Sequence, residues 1–114
     1  MENKELALLA AKTLDSKKAI DVIVIDIAEK SSFADYLVIA TGSSERQVNA
    51  LVDDVEDIYA QHDVLAKSIE GKQNSGWVLM DFGDVVVNVF TKEMRDKYNI
   101  EKVWGDCSFL DIEE

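Results

Sequence analysis

Three short runs rich in β-branched residues constrain the fold of this chain more than any other feature. They are IDVIVIDI at residues 20–27, YLVIAT at 36–41 and DVVVNVF at 84–90. Branched side chains pack well on a pleated surface, so these runs predict β-strands. The run at 36–41 is apolar on both of its faces, which is typical of a central strand covered by helices. The fold therefore needs a sheet with buried inner strands.

Two helical patterns can supply that cover. In the first, apolar residues at helical spacing predict a helix over 3–15: Leu6, Leu9, Ala10 and Leu14. The second begins at Ser44, because the run Ser44-Glu45-Arg46-Gln47 matches a capping box in which Gln47 reaches back to the N-cap amide. Its buried stripe is predicted to consist of Val48, Leu51, Val52, Val55 and Tyr59.

The second half of the chain predicts three further strands and a short helix. Residues 64–70 read as an edge strand and 71–76 as a loop. Strands at 77–81 and 84–90 flank Phe82-Gly83, a hairpin signal because glycine adopts positive φ at little cost. A helix is expected over 92–98. The order of elements predicts an α/β fold with a mixed sheet of about five strands, formed by one domain over residues 1–114 with an acidic tail at about 107–114.

The charge balance narrows the possible partners. Twenty-three acidic residues against twelve basic ones give a net charge of −11. Such a chain repels nucleic acid and anionic lipid but attracts a basic protein surface, so we expect no direct DNA binding. The longest apolar run, residues 6–11, is too short to cross a membrane. An amino terminus without a secretory pattern and a single cysteine, Cys107, favour the cytoplasm.

Motifs associated with catalysis are incomplete. The DFG letters at Asp81-Phe82-Gly83 have none of the other kinase motifs around them. The segment 41–44, TGSS, could cradle an anion at a helix start, but it lacks both common phosphate-loop patterns, so ordinary capping is the favoured interpretation. His62 and Cys107 are too few for a Cys/His zinc site and are poorly placed as a nucleophile–base pair.

Nucleotidyl transfer is the strongest enzymatic alternative. These enzymes combine a Gly-Ser helix start with a D-x-D pair that holds magnesium. The nearest forms here are Asp54-Val55-Glu56, on a predicted helix, and Asp111-Ile112-Glu113, in the tail. On a helix, residues i and i+2 point in nearly opposite directions and cannot hold one ion. We therefore predict no catalytic residues, no cofactor and no metal site.

Trp77 and Asp81 offer a binding chemistry instead. Strand alternation places them with Leu79 on one face of the sheet, opposite Val78 and Met80. A tryptophan beside a carboxylate is the composition of a protein-binding hot spot. A tryptophan buried in the core is an equally good interpretation of Trp77.

Three blocks of the chain resemble one family, the ribosomal silencing factors (RsfS or Iojap). The blocks are DYLVIATGSSERQV at 35–48, WVLMDFGDVVVNVF at 77–90 and EMRDKYNIEKVWGD at 93–106, and Lys30-Ser31-Ser32 also matches. They occur in the family's order and the resemblance spans roughly residues 3–106. One departure is Asn88, where the family often has a histidine. Asparagine can form hydrogen bonds there but cannot titrate near neutral pH.

The resemblance implies a nucleotidyltransferase-like fold without that activity. It implies binding to the large ribosomal subunit through ribosomal protein L-fourteen, which sterically blocks subunit association and represses translation when nutrients are scarce or in stationary phase. It also implies a homodimer when the protein is off the ribosome. The alternatives are an assembly factor for the large subunit and, less favoured, a metal-dependent nucleotidyltransferase.

Residue roles follow from the same resemblance. Trp77 would be the apolar anchor, and Asp81 would pair with an Arg or Lys of the ribosomal protein. Arg95 and Tyr98 would border the patch. Two further candidates are Trp104, which could instead pack the tail onto the domain, and Asp106.

Overall fold

Within its described residues, the protein is built around a six-stranded mixed sheet with three α-helices. The computed structural model describes residues 1–71 and 75–112. In chain order the elements are α1 (Asn3–Ser16), β1 (Ile20–Asp26), β2 (Tyr36–Gly42), α2 (Glu45–Ala60), β3 (Ser68–Glu70), β4 (Trp77–Asp81), β5 (Val85–Thr91), α3 (Lys92–Tyr98), a 3-10 turn (Ile100–Lys102) and β6 (Ser108–Leu110).

The strand order across the sheet is β3-β4-β5-β2-β1-β6. The central pair, β2 and β5, is parallel, and every other pair is antiparallel. This confirms the predicted α/β class and mixed sheet, and it places β3 at an edge. The predicted strand count was one too low, because Ser108–Leu110 pairs with the outer side of β1. Three residues in an acidic segment carry little strand signal of their own, so the open edge of β1 decides their conformation.

Helices α1 and α2 cover one face of the sheet. The stripe predicted for α2 is buried in full, and α1 contributes Leu6, Ala7, Ala10, Ala11 and Leu14 to the same cluster. Gly42 permits the close approach of α2 to β2, because a Cβ on it would lie 2.9 Å from the Cγ2 of Val48. This close packing supports a structural role for the segment between β2 and α2.

The second face of the sheet is covered less completely. Along β4, Val78 and Met80 are buried against the helices, whereas Trp77, Leu79 and Asp81 are half-buried on the second face. This confirms the predicted alternation. Helix α3 and the 3-10 turn cover only part of this face.

Local signals explain how α2 begins and how β4 turns into β5. Ser44 Oγ accepts from the amide of Gln47, as predicted, but Gln47 Oε1 accepts from the amide of Ser43, one residue before the N-cap. In the hairpin, Gly83 has φ +94° and donates its amide to Asp81 Oδ1 at 2.8 Å. The predicted loop at 71–76 includes residues 72–74, which lie outside the described part of the chain.

None of the helices in the described ranges combines the length and apolar character needed to cross a bilayer.

Removing the hydroxyl of Tyr59 should destabilise the fold and change its response to alkaline pH. The hydroxyl donates to the carbonyl of Leu6 at 2.5 Å, which ties α2 to α1. Leu6 lies within α1, so its carbonyl keeps its helical hydrogen bond and Tyr59→Phe removes only this second, buried one. We therefore expect a loss of about 1 kcal/mol in the free energy of unfolding at neutral pH.

The pH effect follows from burial, which raises the pKa of Tyr59 above the ordinary tyrosine value. The neutral phenol therefore stabilises the folded state fully below about pH 10. As the pH rises above that value, the unfolded chain loses its proton first and stability falls. Urea unfolding of both proteins at neutral and alkaline pH should show a smaller fall for Tyr59→Phe. An identical fall in the two proteins would contradict this assignment. Burial also raises the pKa of Tyr36, but Tyr36 is present in both proteins and contributes equally to the fall in each.

Candidate protein-binding site

An aromatic patch lies on the second face of the sheet, where β4 meets α3. We define it by Trp77 and Leu79 from β4 and Met94 and Tyr98 from α3. The Trp77 and Tyr98 ring centroids are 4.9 Å apart, and Tyr98 is 46 % exposed. Met94 and Tyr98 are four residues apart, so they share the helix face that meets the strand. The structure thus brings together two of the aromatic residues predicted from the sequence.

Trp77 makes the internal contacts that the core interpretation requires, and its role in binding stays a prediction. Its ring stacks on Phe90 with centroids 5.0 Å apart, and its Nε1 donates to Asn88 Oδ1 at 2.9 Å. The side chain nevertheless remains half-buried and lines an open groove. Phe90 and Asn88 hold the indole on its inner side, while its other side lines the groove. Such a ring is well suited to binding, since it has little side-chain entropy left to lose when a partner binds.

Asn88, the departure from the family pattern, is buried beneath the patch at 1 % exposure. Its Oδ1 accepts the indole hydrogen, and its Nδ2 has no hydrogen-bond partner among the described residues. The residue therefore fixes the orientation of Trp77 through an uncharged hydrogen bond, which does not depend on titration of Asn88.

The groove beside the patch has a volume of about 340 Å³. Besides the patch itself it is lined by Glu70, Gly71 and Ser75. Glu70 lies opposite Leu79 in the register of β3 and β4, so strand alternation places it on the same face. The sequence interpretation did not select Glu70, although the pairing of the predicted edge strand with β4 would have identified it.

Asp81 lies on the patch side of β4, at the hairpin end. Its Oδ1 accepts from the amide of Gly83, so one carboxylate oxygen already stabilises the turn. The side chain is half-buried. Asp81 thus holds the hairpin and does not line the groove beside the patch, and its role in binding stays a prediction.

Arg95 has a different position from the one that its proposed role required. It is only 8 % exposed, and its guanidinium points inward. Nη1 donates to Thr41 Oγ1 at 2.9 Å and to the carbonyl oxygen of Asp21 at 2.6 Å, while Nε and Nη2 both donate to Glu101 Oε2. Asp21 lies in an irregularity of β1 and has φ +49°. Arg95 therefore holds β1, β2 and the 3-10 turn together and has little surface left for a partner.

Trp104 and Asp106 lie in a separate cluster beyond the 3-10 turn. Trp104 packs against the second-face core and meets the exposed ring of Phe33 edge-on, with centroids 6.2 Å apart. This agrees with the alternative that Trp104 packs the tail onto the domain. Asp106 forms an ion pair with Lys30. Phe33, which is 60 % exposed, was not singled out in the sequence.

A larger cavity of about 590 Å³ opens beside Arg95. Its charged lining residues are Asp21, Lys92, Arg95, Asp96 and Glu101. The acids outnumber the bases and Arg95 is engaged internally, so this lining is poorly suited to a phosphate group. Over residues 1–71 and 75–112, no three His, Cys, Asp or Glu side chains are grouped so that they could hold a metal ion.

The fold and the patch together define a class: an α/β protein with one helix-covered sheet face and one partly open face that carries clustered aromatic side chains. Such clusters are enriched where proteins bind proteins. A family model described as "Ribosomal silencing factor during starvation" matches residues 1–114. The chain belongs to this family of ribosomal silencing factors.

Individual relatives agree with this membership. The ribosomal silencing factor of Halalkalibacterium halodurans is 40 % identical over 99 % of this chain and 97 % of its own length. The ribosomal silencing factor of Bacillus subtilis is 39 % identical over 99 % of this chain and 96 % of its own length. A crystal structure of a Chromobacterium violaceum protein has a TM-score of 0.89 and 39 % identity, with 92 % of this chain and 88 % of that one covered. A mouse relative, named mitochondrial assembly of ribosomal large subunit protein 1, is 34 % identical over 86 % of this chain and 44 % of its own.

Proposed function

We propose that this protein binds the large ribosomal subunit through its aromatic patch and sterically blocks association with the small subunit. Translation would thereby be repressed under nutrient limitation or in stationary phase. The observation that carries the proposal is the contact of the half-buried Trp77 ring with the exposed Tyr98 ring on the less covered sheet face of a chain with net charge −11. An acidic protein of this kind is attracted to a basic protein surface and repelled by bare RNA.

The partner within the subunit is proposed to be ribosomal protein L-fourteen, as the family resemblance implies. Trp77 would be the apolar anchor, with Tyr98 bordering it, and Asp81 would supply charge at the edge. Arg95 would act indirectly, by holding the strands and the 3-10 turn in place. Trp104 and Asp106 would contribute only if the contact extends to the Phe33 cluster.

We infer further that the protein acts by occupancy and catalyses no reaction. The absence of a D-x-D pair from the sequence supports this. The competing nucleotidyltransferase function can be tested by titration calorimetry with magnesium and each nucleoside triphosphate, for which we expect no binding heat. Saturable heat followed by nucleotide turnover would refute the proposal.

We propose one domain over residues 1–114 and a homodimer when the protein is free, as the resemblance implies, and a cytoplasmic location, which the single cysteine favours. Analytical ultracentrifugation of the purified protein tests the dimer directly. Each copy of the chain has a net charge of −11, so two copies repel each other. A dimer held by contacts between exposed surfaces should therefore become more stable as salt screens this repulsion.

Mixing the purified protein with separated ribosomal subunits is the decisive test. In sucrose gradients we expect the factor to sediment with the large subunit and the peak of joined ribosomes to fall as the factor approaches saturation. Unimpaired joining at saturating factor would refute the proposed block.

An assembly role is the second candidate, because the mouse relative carries that function in its name. The same gradients distinguish the two, since an assembly factor should associate with immature large subunits and leave mature subunits free to join. A silencing factor should bind mature subunits.

A further inference from the structure

The groove beside the aromatic patch has an unusual distribution of charge. Its walls are the rings of Trp77 and Tyr98 together with the apolar side chains of Leu79 and Met94. Among the described residues that line it, Glu70 is the only charged one, and its side chain is exposed at the edge strand β3. In the part that the described residues line, the groove is therefore an apolar slot with one carboxylate, that of Glu70, at its rim.

This combination matches one kind of occupant. Lysine and arginine bury apolar stems along hydrophobic surface while the charged head remains at the rim. A cation is also attracted to the faces of aromatic rings. The Tyr98 ring already attracts one, since Lys97 Nζ lies 5.5 Å from its centroid without lining the groove. An acidic side chain in the groove would be repelled by the Glu70 carboxylate, and a purely apolar side chain would form no ion pair with it.

We propose that the groove lined by Trp77, Tyr98, Leu79 and Met94 receives a lysine or arginine side chain of the ribosomal protein and that Glu70 is its ionic partner. This inference rests on the proposed function and specifies its chemistry. It also assigns the main carboxylate role to Glu70 instead of Asp81, because an oxygen of Asp81 already accepts from the hairpin amide whereas no contact of the Glu70 carboxylate is observed among the described residues. Asp81 then contributes to the general negative field.

Charge reversal at Glu70 tests the inference, with a matched reversal elsewhere as control. Asp57 is exposed on α2, in the layer on the opposite side of the sheet, so Asp57→Lys changes the net charge equally without touching the slot. Binding of each variant to purified large ribosomal subunits is measured at constant salt. We expect Glu70→Lys to weaken binding at least tenfold and Glu70→Gln severalfold, and Asp57→Lys to show only the smaller effect of net charge.

The outcomes separate the inference from the function on which it rests. Two results would refute the proposed lysine or arginine site while the proposed function stands, provided that the wild type binds. One is an equal effect of Glu70→Lys and Asp57→Lys on binding, and the other is tighter binding by Glu70→Lys. Failure of the wild type to bind overturns both. Thermal melts show whether the variants fold, and Glu70→Gln, which keeps the size of the side chain, decides the matter if Glu70→Lys is unstable.

Discussion

Replacing Trp77 with alanine is expected to weaken binding to large ribosomal subunits by about 2 kcal/mol or more, or about thirtyfold, which is the size of a hot-spot loss. The indole is held by Phe90 and Asn88 before any partner arrives, so truncation removes a preorganised contact. Co-sedimentation of wild-type and variant protein with large subunits, over a range of concentrations, measures the loss.

The fold of this variant needs separate measurement. The sequence alone predicts that Trp77→Ala leaves the fold intact, but the structure adds that the change removes a stacked ring and leaves Asn88 Oδ1 without its donor. We expect a folded protein with a lower melting temperature. Tyr98→Ala, at a more exposed ring, should weaken binding with less effect on melting. Leu65→Ala, at a side chain that is 77 % exposed outside the patch, is the control. If Trp77→Ala co-sediments with large subunits as well as the wild type does, Trp77 is not part of the interface.

Replacing Arg95 with methionine is expected to lower the free energy of unfolding by about 3 kcal/mol, because breaking one side of a buried ion pair leaves its partner uncompensated. The side chains of Arg95 and Glu101 are 10 % and 25 % exposed, so solvent screens their contact only weakly. The change also removes the donor to the Asp21 carbonyl in the irregular part of β1. Urea unfolding monitored by circular dichroism measures the loss.

Two comparisons identify its cause. Arg46 is exposed on α2, so Arg46→Met should change stability by no more than about 0.5 kcal/mol. Adding Glu101→Gln to Arg95→Met should recover part of the loss, since the unpaired charge is then gone. Equal stability of Arg95→Met and Arg46→Met would show that the inward network contributes nothing. If Arg95→Met weakens binding to large subunits without lowering stability, Arg95 contacts the partner directly.

Much of the architecture could be predicted because its signals are local. The β-branched runs gave three strands, the capping serine placed the start of α2 within one residue, and Phe82-Gly83 gave the hairpin. The period of two along β4 also assigned Trp77 to the less covered face. A short strand such as β6 carries no comparable signal, because its pairing depends on the free edge of β1 about eighty residues earlier.

The candidate site divides in the same way. Residue type and strand alternation were sufficient to select Trp77, and the family motif added Tyr98. Neither could show that Arg95 turns inward, since its partners Thr41 and Asp21 are more than fifty residues away in the chain. Neither selected Glu70, which reaches the groove through the register of β3 against β4.

The amino-acid sequence by itself determined the class of fold, the acidic character and the aromatic chemistry of this protein, because composition and short-range periodicity fix those properties. Which side chains line the open groove and which hold the strands together was decided only by the tertiary structure. Those assignments depend on contacts between residues far apart in the chain, and no local pattern specifies such contacts.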